Sequence, residues 1–453
     1  MASQIPFRFK KLSLACSLGL LFATGSSFAA STAEPFSMDS PYMLGDWGGA
    51  RTNWKQEGVD FQINYTGEAA SNFAGGHRTS TTARYADQWG FGVNLDLDKL
   101  LNWSDTEFQF TVTNRNGRNL NNDVTGDPRV GTLSSSQEVW GRGQTTRLTQ
   151  LWLRQGYFND ALDIKLGRVT VGEDFDSLNS NFENLTMGSG AAGNWRGDRW
   201  YNWPVSQWGG RIKLNFTPEI YTQVGIYNQN PKNYDSGNGF RLDTKGTVGN
   251  LVPVEIGWLP KLGAEKLPGK YKIGAYYSST NGDVYHTSYI DSNGAQQYGD
   301  TAHAYGGYLL AQQQITSVNG DASRGLTLTV QGVMNDKKTS KTDNFQSIAF
   351  TYVGLFDARP QDEIGFGVGR IHVNSDFSQT QRQQNDANGV NSYNNPTYLP
   401  VQHGSEYDYE LYYGIKATNW LTVRPNLQYI SAPGAVSQVK DAFIGGVMVN
   451  VSL

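Results

Sequence analysis

The sequence predicts an all-β protein, a 16-stranded antiparallel transmembrane β-barrel with a short N-terminal periplasmic segment and an inward-folded constriction loop. Three observations carry that prediction. Strand-length segments alternate apolar and polar residues up to the final position. The connections between them are short on one side and mostly long on the other. A secretory signal stands in front of them.

Residues 1–29 read as the signal peptide. Arg8, Lys10 and Lys11 form its basic start, and Leu12 to Ala23 form an apolar run too short to cross a bilayer as a helix. Ser27, Phe28 and Ala29 supply the small residues of a cleavage site. Cys16, the one cysteine, leaves with the signal, which excludes disulfides and thiolate metal sites in the exported chain. Three of the 37 Lys and Arg residues also leave, and none of the 41 Asp and Glu residues does, so the remainder is mildly acidic. No nucleic-acid partner is expected for such a chain.

Only 17% of the residues are charged, 13% are aromatic and 52 are glycine. After the signal no apolar stretch reaches helix-spanning length, which excludes a helical membrane protein. A barrel explains the mixture, because half of each strand faces lipid and half faces water. A large secreted β-sandwich or propeller also alternates. Neither predicts outward aromatics at strand ends, nor a strand that stops on the last residue.

Residues 30–57 form the periplasmic segment, with a short helix expected over Gly48 to Glu57 in the barrel mouth. The barrel takes residues 58–453. Its first strand is marked by Val59, Phe61, Ile63 and Tyr65, its second by Trp89, Phe91, Val93, Leu95 and Leu97, and its third by Phe108, Phe110 and Val112. The fourth carries Leu151 and Leu153, with Trp152 blurring the register. Leu162, Ile164 and Leu166 mark the fifth, Ile212, Leu214 and Phe216 the sixth, Ile220, Val224 and Ile226 the seventh. Val252, Val254, Ile256 and Trp258 mark the eighth, and Tyr271, Ile273, Ala275 and Tyr277 the ninth. The tenth falls near Tyr305 to Ala311 without a fixed register. Leu326, Leu328 and Val330 mark the eleventh, Ile348, Phe350 and Tyr352 the twelfth, Ile364, Phe366 and Val368 the thirteenth. Tyr407, Tyr409, Leu411, Tyr413 and Ile415 mark the fourteenth, Leu421, Val423, Leu427 and Tyr429 the fifteenth. The sixteenth runs from Phe443 to Leu453, where Ile444 and Met448 soften the alternation. Sixteen strands leave an aqueous channel rather than a packed interior.

The stretch Leu44-Gly45-Asp46-Trp47-Gly48-Gly49-Ala50-Arg51, followed by Gly58-Val59-Asp60-Phe61, resembles the opening motif of the OprB-type carbohydrate-selective porins. Arg147 to Trp152, Lys165 to Arg168 with Asp174-Phe175, and Arg424 to Ile430 with Pro433-Gly434 are similar to that family too. The resemblance implies a channel passing glucose and related sugars, with mono- and small oligosaccharides as substrates. Outer-membrane lipid, lipopolysaccharide and the outer-membrane insertion machinery are the further partners expected. Many outer-membrane barrels end in Phe; this one ends in Leu453 with its alternation intact. A porin for other small polar solutes and a secreted carbohydrate-binding β-protein are the competing functions.

A sugar needs paired donors and acceptors for its hydroxyls and flat rings for its C–H faces. Strand parity sends Glu107, Gln109, Thr111 and Arg115 inward, with Arg211, Lys213, Glu255, Asp408, Glu410, Tyr412, Arg424, Asn426 and Gln428. Arg168 and Asp174 join Glu107, Arg211, Lys213, Asp408, Glu410 and Arg424 as expected pore lining. A wall of both signs suits neutral polyols better than a one-sign ring would. Residues 170–206 are the expected constriction loop, carrying Glu183, Trp195, Arg196, Asp198, Arg199, Trp200 and Trp203. Arg115, Glu138, Trp195, Arg199 and Trp200 are the expected substrate contacts. The competing role for each charge is to solvate the wall or brace a loop, and for each Trp to sit in the interfacial girdle. Gly90, Gly92, Gly365, Gly367 and Gly369 either make room for an inserted loop or relieve sheet curvature.

No catalytic constellation emerges. His77, His286, His303, His372 and His403 are scattered without metal-ligand spacing, and no helix follows Gly90-Phe91-Gly92 to make a phosphate loop. No cofactor and no metal are expected.

Overall fold

The computed structural model describes residues 33–453 except 79–80, 291, 293–295 and 302; the signal assigned to residues 1–29 lies outside that range. Sixteen long antiparallel strands close into a barrel. They are β1 (Val59–Gly76), β2 (Ala83–Asp96), β3 (Thr106–Gly117), β4 (Thr146–Tyr157), β5 (Leu162–Val169), β6 (Gln207–Asn215), β7 (Ile220–Gln229) and β8 (Gly249–Trp258). The second half is β9 (Leu267–Ser278), β10 (Ala304–Gln314), β11 (Gly325–Asn335), β12 (Thr342–Val353), β13 (Glu363–Val373), β14 (Ser405–Lys416), β15 (Leu421–Ser431) and β16 (Lys440–Ser452). Each pairs with its sequence neighbours, and β16 returns to β1 with Asn64 opposite Ser452. Closure leaves no sheet edge with unpaired backbone, which is what a bilayer demands.

The outward parity is an apolar band. Leu166, Ile226, Ile256 and Ile273 are each more than half exposed on it. Aromatic pairs flank them, such as Trp258 with Tyr271 at 5.3 Å and Tyr409 with Tyr429 at 6.0 Å. The tenth strand gains its register here: Tyr305 and Leu309 point out, while Tyr308 and Leu310 are buried inside. The fourth strand reads weakly because it is bulged. Gln150 faces Thr111 and Leu148 faces Val112, so Thr149 is the extra residue. Trp152 then points inward, beneath the Lys165 ammonium at 4.4 Å.

Three connections on the long-loop rim are short, namely 77–82, 336–341 and 432–439. The long ones carry structure of their own. Residues 279–303 hold a hairpin, Gly282–Ile290 against Gln296–Thr301, and 374–404 hold the helix Ser375–Ala387. Asn374 caps that helix by accepting the Asp376 amide at 3.1 Å.

The N-terminal helix is Ala50–Glu57, entered through a single turn at Trp47–Gly49. Arg51 is 2% exposed and lies between Tyr42 and Trp47, 3.2 and 5.0 Å from their ring centroids. Its guanidinium donates to the main-chain oxygens of Leu453 and of Phe61. The opening motif therefore fastens the seam where first and last strands meet.

The hydrophobic core lies in the lumen. Phe175, Ala191, Ala192, Trp195 and Trp200 of the 170–206 connection pack against Tyr227, Leu251, Tyr276, Tyr308, Val333, Phe345 and Ile371 of the wall. A second cluster joins Leu120 and Val124 of the 118–145 connection to Ala70, Ile430, Ala442 and Ile444. Ile444 is apolar at an inward position because a loop covers it.

Candidate functional site: a lumen narrowed by two anchored loops

Two long connections, 118–145 and 170–206, enter the barrel, and wall carboxylates hold their backbones. Glu255 accepts the Asp176 amide at 2.7 Å. Glu410 accepts the amides of Glu183 and Asn184 at 3.0 and 2.6 Å. Glu406 accepts those of Leu133 and Ser134 at 3.0 and 2.9 Å, and Glu68 that of Val139 at 3.1 Å. All four carboxylates are at most 1% exposed. A carboxylate taking amide hydrogens is among the stronger hydrogen bonds in a protein. Lys272 adds a bond to the Ser177 carbonyl at 3.0 Å, and Gln428 adds one to that of Ser136 at 3.0 Å.

On β3 to β6 the wall charges Glu107, Arg154, Asp163, Lys165 and Arg211 are already matched. Glu173 and Asp174 pair with Lys165 at 3.0 and 3.1 Å. Arg211 takes Asp174 at 3.2 Å and Asp163 at 2.7 Å. Arg154 takes Asp163 at 3.0 Å and Glu107 at 3.2 Å. This ladder descends from the constriction loop to the short-turn mouth and leaves little net charge along the wall.

Between the loops lies a cavity of 470 Å³. Its ionisable lining is Arg115, Glu138, Arg142, Glu173 and Asp176; its rings include Trp140, Phe175, Trp200 and Trp203. Arg115 donates to Gln88 at 2.8 Å and to the Gly141 carbonyl at 3.3 Å. Trp203 shares the Gln88 acceptor at 2.8 Å. Arg142 donates to the Tyr234 hydroxyl at 2.6 Å and the Gly193 carbonyl at 3.1 Å, tying one loop to the other. The Glu138 carboxylate has no hydrogen-bond or ion-pair partner among the described residues. Burial raises its pKa, and the positive charges of Arg115 and Arg424 pull it back. It is thus an acceptor turned toward an aqueous cavity.

Of the residues expected to touch substrate, Arg115, Glu138 and Trp200 line this cavity; Trp195 and Arg199 do not. Trp195 is buried on Phe345 at 5.0 Å. Arg199 bonds the Asn281 carbonyl at 3.1 Å and pairs with Asp198 at 3.4 Å. Trp200 has no exposed surface and sits between Tyr276 and Tyr308, each at 5.7 Å. Glu107 and Lys213 lie at the short-turn mouth, Lys213 over the Tyr221 ring at 4.2 Å. Asp408 and Glu410 are buried behind the loops, and Arg424 donates to Asn181 at 2.9 Å.

Arg168 departs from its expected place in the pore lining. It pairs with Leu151 and Trp208 and shares the outward parity of Leu166. Its guanidinium is covered by the 230–248 connection and bonds the carbonyls of Ser206 and Arg241 at 2.8 and 3.0 Å. The expectation rests on its place in the Lys165 to Arg168 motif ahead of the constriction loop and runs against the parity of Leu162, Ile164 and Leu166; at the end of β5 the inward position belongs to Gly167, whose φ of +145° suits glycine.

The inward glycines divide by neighbour. A methyl at Gly367 would meet Met187 and Phe182, and one at Gly369 would meet Thr186, all on the constriction loop. Gly90, Gly92 and Gly365 instead leave space for wall side chains, Asn64, Thr111 and Tyr412. Sequence reading passed over Arg142, Trp140 and Asp176, which stand in connections where no parity exists to assign them a side.

A closed sixteen-stranded barrel with a lipid-facing apolar band and a lumen narrowed by its own loops is an outer-membrane channel, a multi-pass porin. Residues 80–453 match the family described as carbohydrate-selective porin, OprB family, and the chain belongs to that family. It is 52% identical over 442 residues to Porin B of Pseudomonas aeruginosa, covering 96% of each chain. The high-pH structure of Pseudomonas putida OprB is similar with a TM-score of 0.89 at 48% identity, covering 93% of this chain and all of that one.

Proposed function

We propose that this porin passes glucose and related mono- and small oligosaccharides by passive diffusion, without chemistry, and that the 470 Å³ cavity is where it selects them. The observation that carries this reading is the unpartnered Glu138 carboxylate beside Arg115, with the Trp140 and Trp203 rings in the same wall. Glu138 accepts from sugar hydroxyls, Arg115 donates to them, and a ring takes a C–H face. Trp195, Arg199 and Trp200 act one step back, by holding the 170–206 loop on the wall. Short turns face the periplasm and long loops the cell exterior, the usual sidedness of such barrels. Lipopolysaccharide then surrounds the long-loop half, and the insertion machinery delivers the chain.

The test is single-channel conductance with sugar block. Glu138→Gln is expected to raise the half-blocking glucose concentration about tenfold, the loss of roughly 1.4 kcal/mol, with ionic conductance nearly unchanged. Unaltered block would remove Glu138 from the site.

A further inference from the structure

Beside the pore cavity the long-loop rim holds a second cavity of 330 Å³. Its walls are the hairpin Gly282–Ile290 with Gln296–Thr301, the helix Ser375–Ala387, and Arg129 with Val130. Thr132 and Leu133, just after those two residues, belong to the pore cavity. The segment 129–133 therefore divides the two spaces, which share no lining residue.

The cavity is preformed. The Thr380 hydroxyl of the helix accepts the His286 amide of the hairpin at 2.8 Å, and Gln381 accepts the Gln402 amide at 2.8 Å. Tyr285 and Phe377 meet in one wall with centroids 5.0 Å apart and planes at 71°, which makes an aromatic corner. Gln384 adds an amide on the lining.

The charge is less ordinary. Arg129 is matched by Asp127 at 2.8 Å. Lys341 is not matched: its ammonium stands 5.7 Å from the Phe377 centroid and has neither hydrogen bond nor ion pair among the described residues. Asp283, the one carboxylate of the lining among the described residues, is solvent-exposed and makes no pair with it. Burial lowers the Lys341 pKa to about 8, and the Glu406 carboxylate offsets part of that, so most of the ammonium is charged at neutral pH. A half-buried charge with no contacting partner is costly unless something brings a counter-charge into contact.

We propose that this cavity is a binding site for a small polyhydroxy carboxylate, a sugar acid, whose carboxylate pairs with Lys341 and whose C–H face rests in the Tyr285–Phe377 corner. The ammonium rewards the anion, the rings reward a sugar-like face, and the volume lies within the range of small-ligand pockets. A neutral sugar leaves Lys341 unmatched, and a simple anion leaves the corner empty. The site lies outside the pore cavity, so its failure and the failure of the sugar-selection reading are separately visible.

The experiment is calorimetric titration of the full-length barrel in detergent with sodium gluconate, glucose and sodium acetate at matched ionic strength. Gluconate is expected to bind at least tenfold tighter than either of the others. Lys341→Met is expected to lose at least tenfold of that affinity and Phe377→Leu several-fold, while glucose flux into liposomes stays at the wild-type rate. Gluconate binding no tighter than that of glucose or acetate would overturn the proposal, as would wild-type gluconate affinity in Lys341→Met. If Lys341→Met does not form a heat-modifiable barrel, Phe377→Leu and the three-ligand comparison on the wild-type protein decide the matter alone.

Discussion

The guanidinium of Arg51, near the start of the exported chain, donates to the main-chain oxygen of Leu453 at its end, and its other nitrogen reaches Phe61 at 2.7 Å. Two strands that begin and finish the barrel share one buried cation. Arg51→Ala leaves those oxygens without their donor and opens space between Tyr42 and Trp47. Its expected cost is about 3 kcal/mol for two acceptors left unsatisfied, read as a lower unfolding temperature on heat-modifiability gels. Arg51→Lys is expected to recover only part of this, because a point charge cannot serve both oxygens as a planar fork does.

Glu410→Gln tests the anchoring of the constriction loop. The carboxylate holds two amides, and hydrogen bonds to a charged acceptor contribute about 1.5–3 kcal/mol each. Weakening them is expected to raise single-channel conductance and to speed amide exchange at Glu183 and Asn184. Unchanged exchange at those two amides would argue that the loop is held by packing alone.

Acid–base behaviour is expected at Asp176, where the loop meets β8. Burial raises its carboxyl to about 7; the Ala192 amide opposes that and the Glu255 charge adds to it. The folded value lies above the unfolded one of about 3.9, so the neutral acid is the form the folded loop favours. Its contribution is complete below about pH 3.9 and is lost as pH rises through 7. Exchange of the amides of 174–192, corrected for intrinsic rates, is therefore expected to be faster at pH 8 than at pH 5. Asp176→Asn is expected to flatten that dependence.

Trp195→Ala separates an anchor from a contact. Removing a buried indole costs about 3–5 kcal/mol, here charged against the packing on Phe345. Conductance and its noise are expected to rise together. Glu138→Gln instead changes sugar block at nearly constant conductance, so paired recordings tell the two roles apart.

Strand parity made the barrel wall legible, since each side chain follows its neighbour by a period of two. It placed Glu255, Glu410 and Gln428 inside, and all three are there. What parity does not carry is what an inward group meets, and here it meets backbone amides from distant loops. The extra residue at Thr149 breaks the period in β4, whereas the period of β5 is unbroken and sets Arg168 on the outer face with Leu166, against its expected place in the pore. The cavity lining of Trp140, Arg142 and Asp176 lies in irregular chain, where sequence offers residue type without direction. The helix Ser375–Ala387 did leave a signal, Asn374 with Asp376 in the first turn, inside a stretch read simply as a long connection.

The anchors of the 170–206 loop also impose an order of events. Lys165 and Arg142 hold it from earlier in the chain, but further anchors stand on β8, β9, β14 and β15, and the glycine-lined slot for Met187 and Thr186 is on β13, all later than the loop itself. The loop is therefore held at far fewer points while the second half of the barrel is missing. Nascent or truncated chains are expected to hold it loosely, with Trp195 and Trp200 lacking Phe345, Tyr276 and Tyr308. Permeability is consequently expected to be set as the wall is completed, a stalled assembly being wider and stickier than the finished channel.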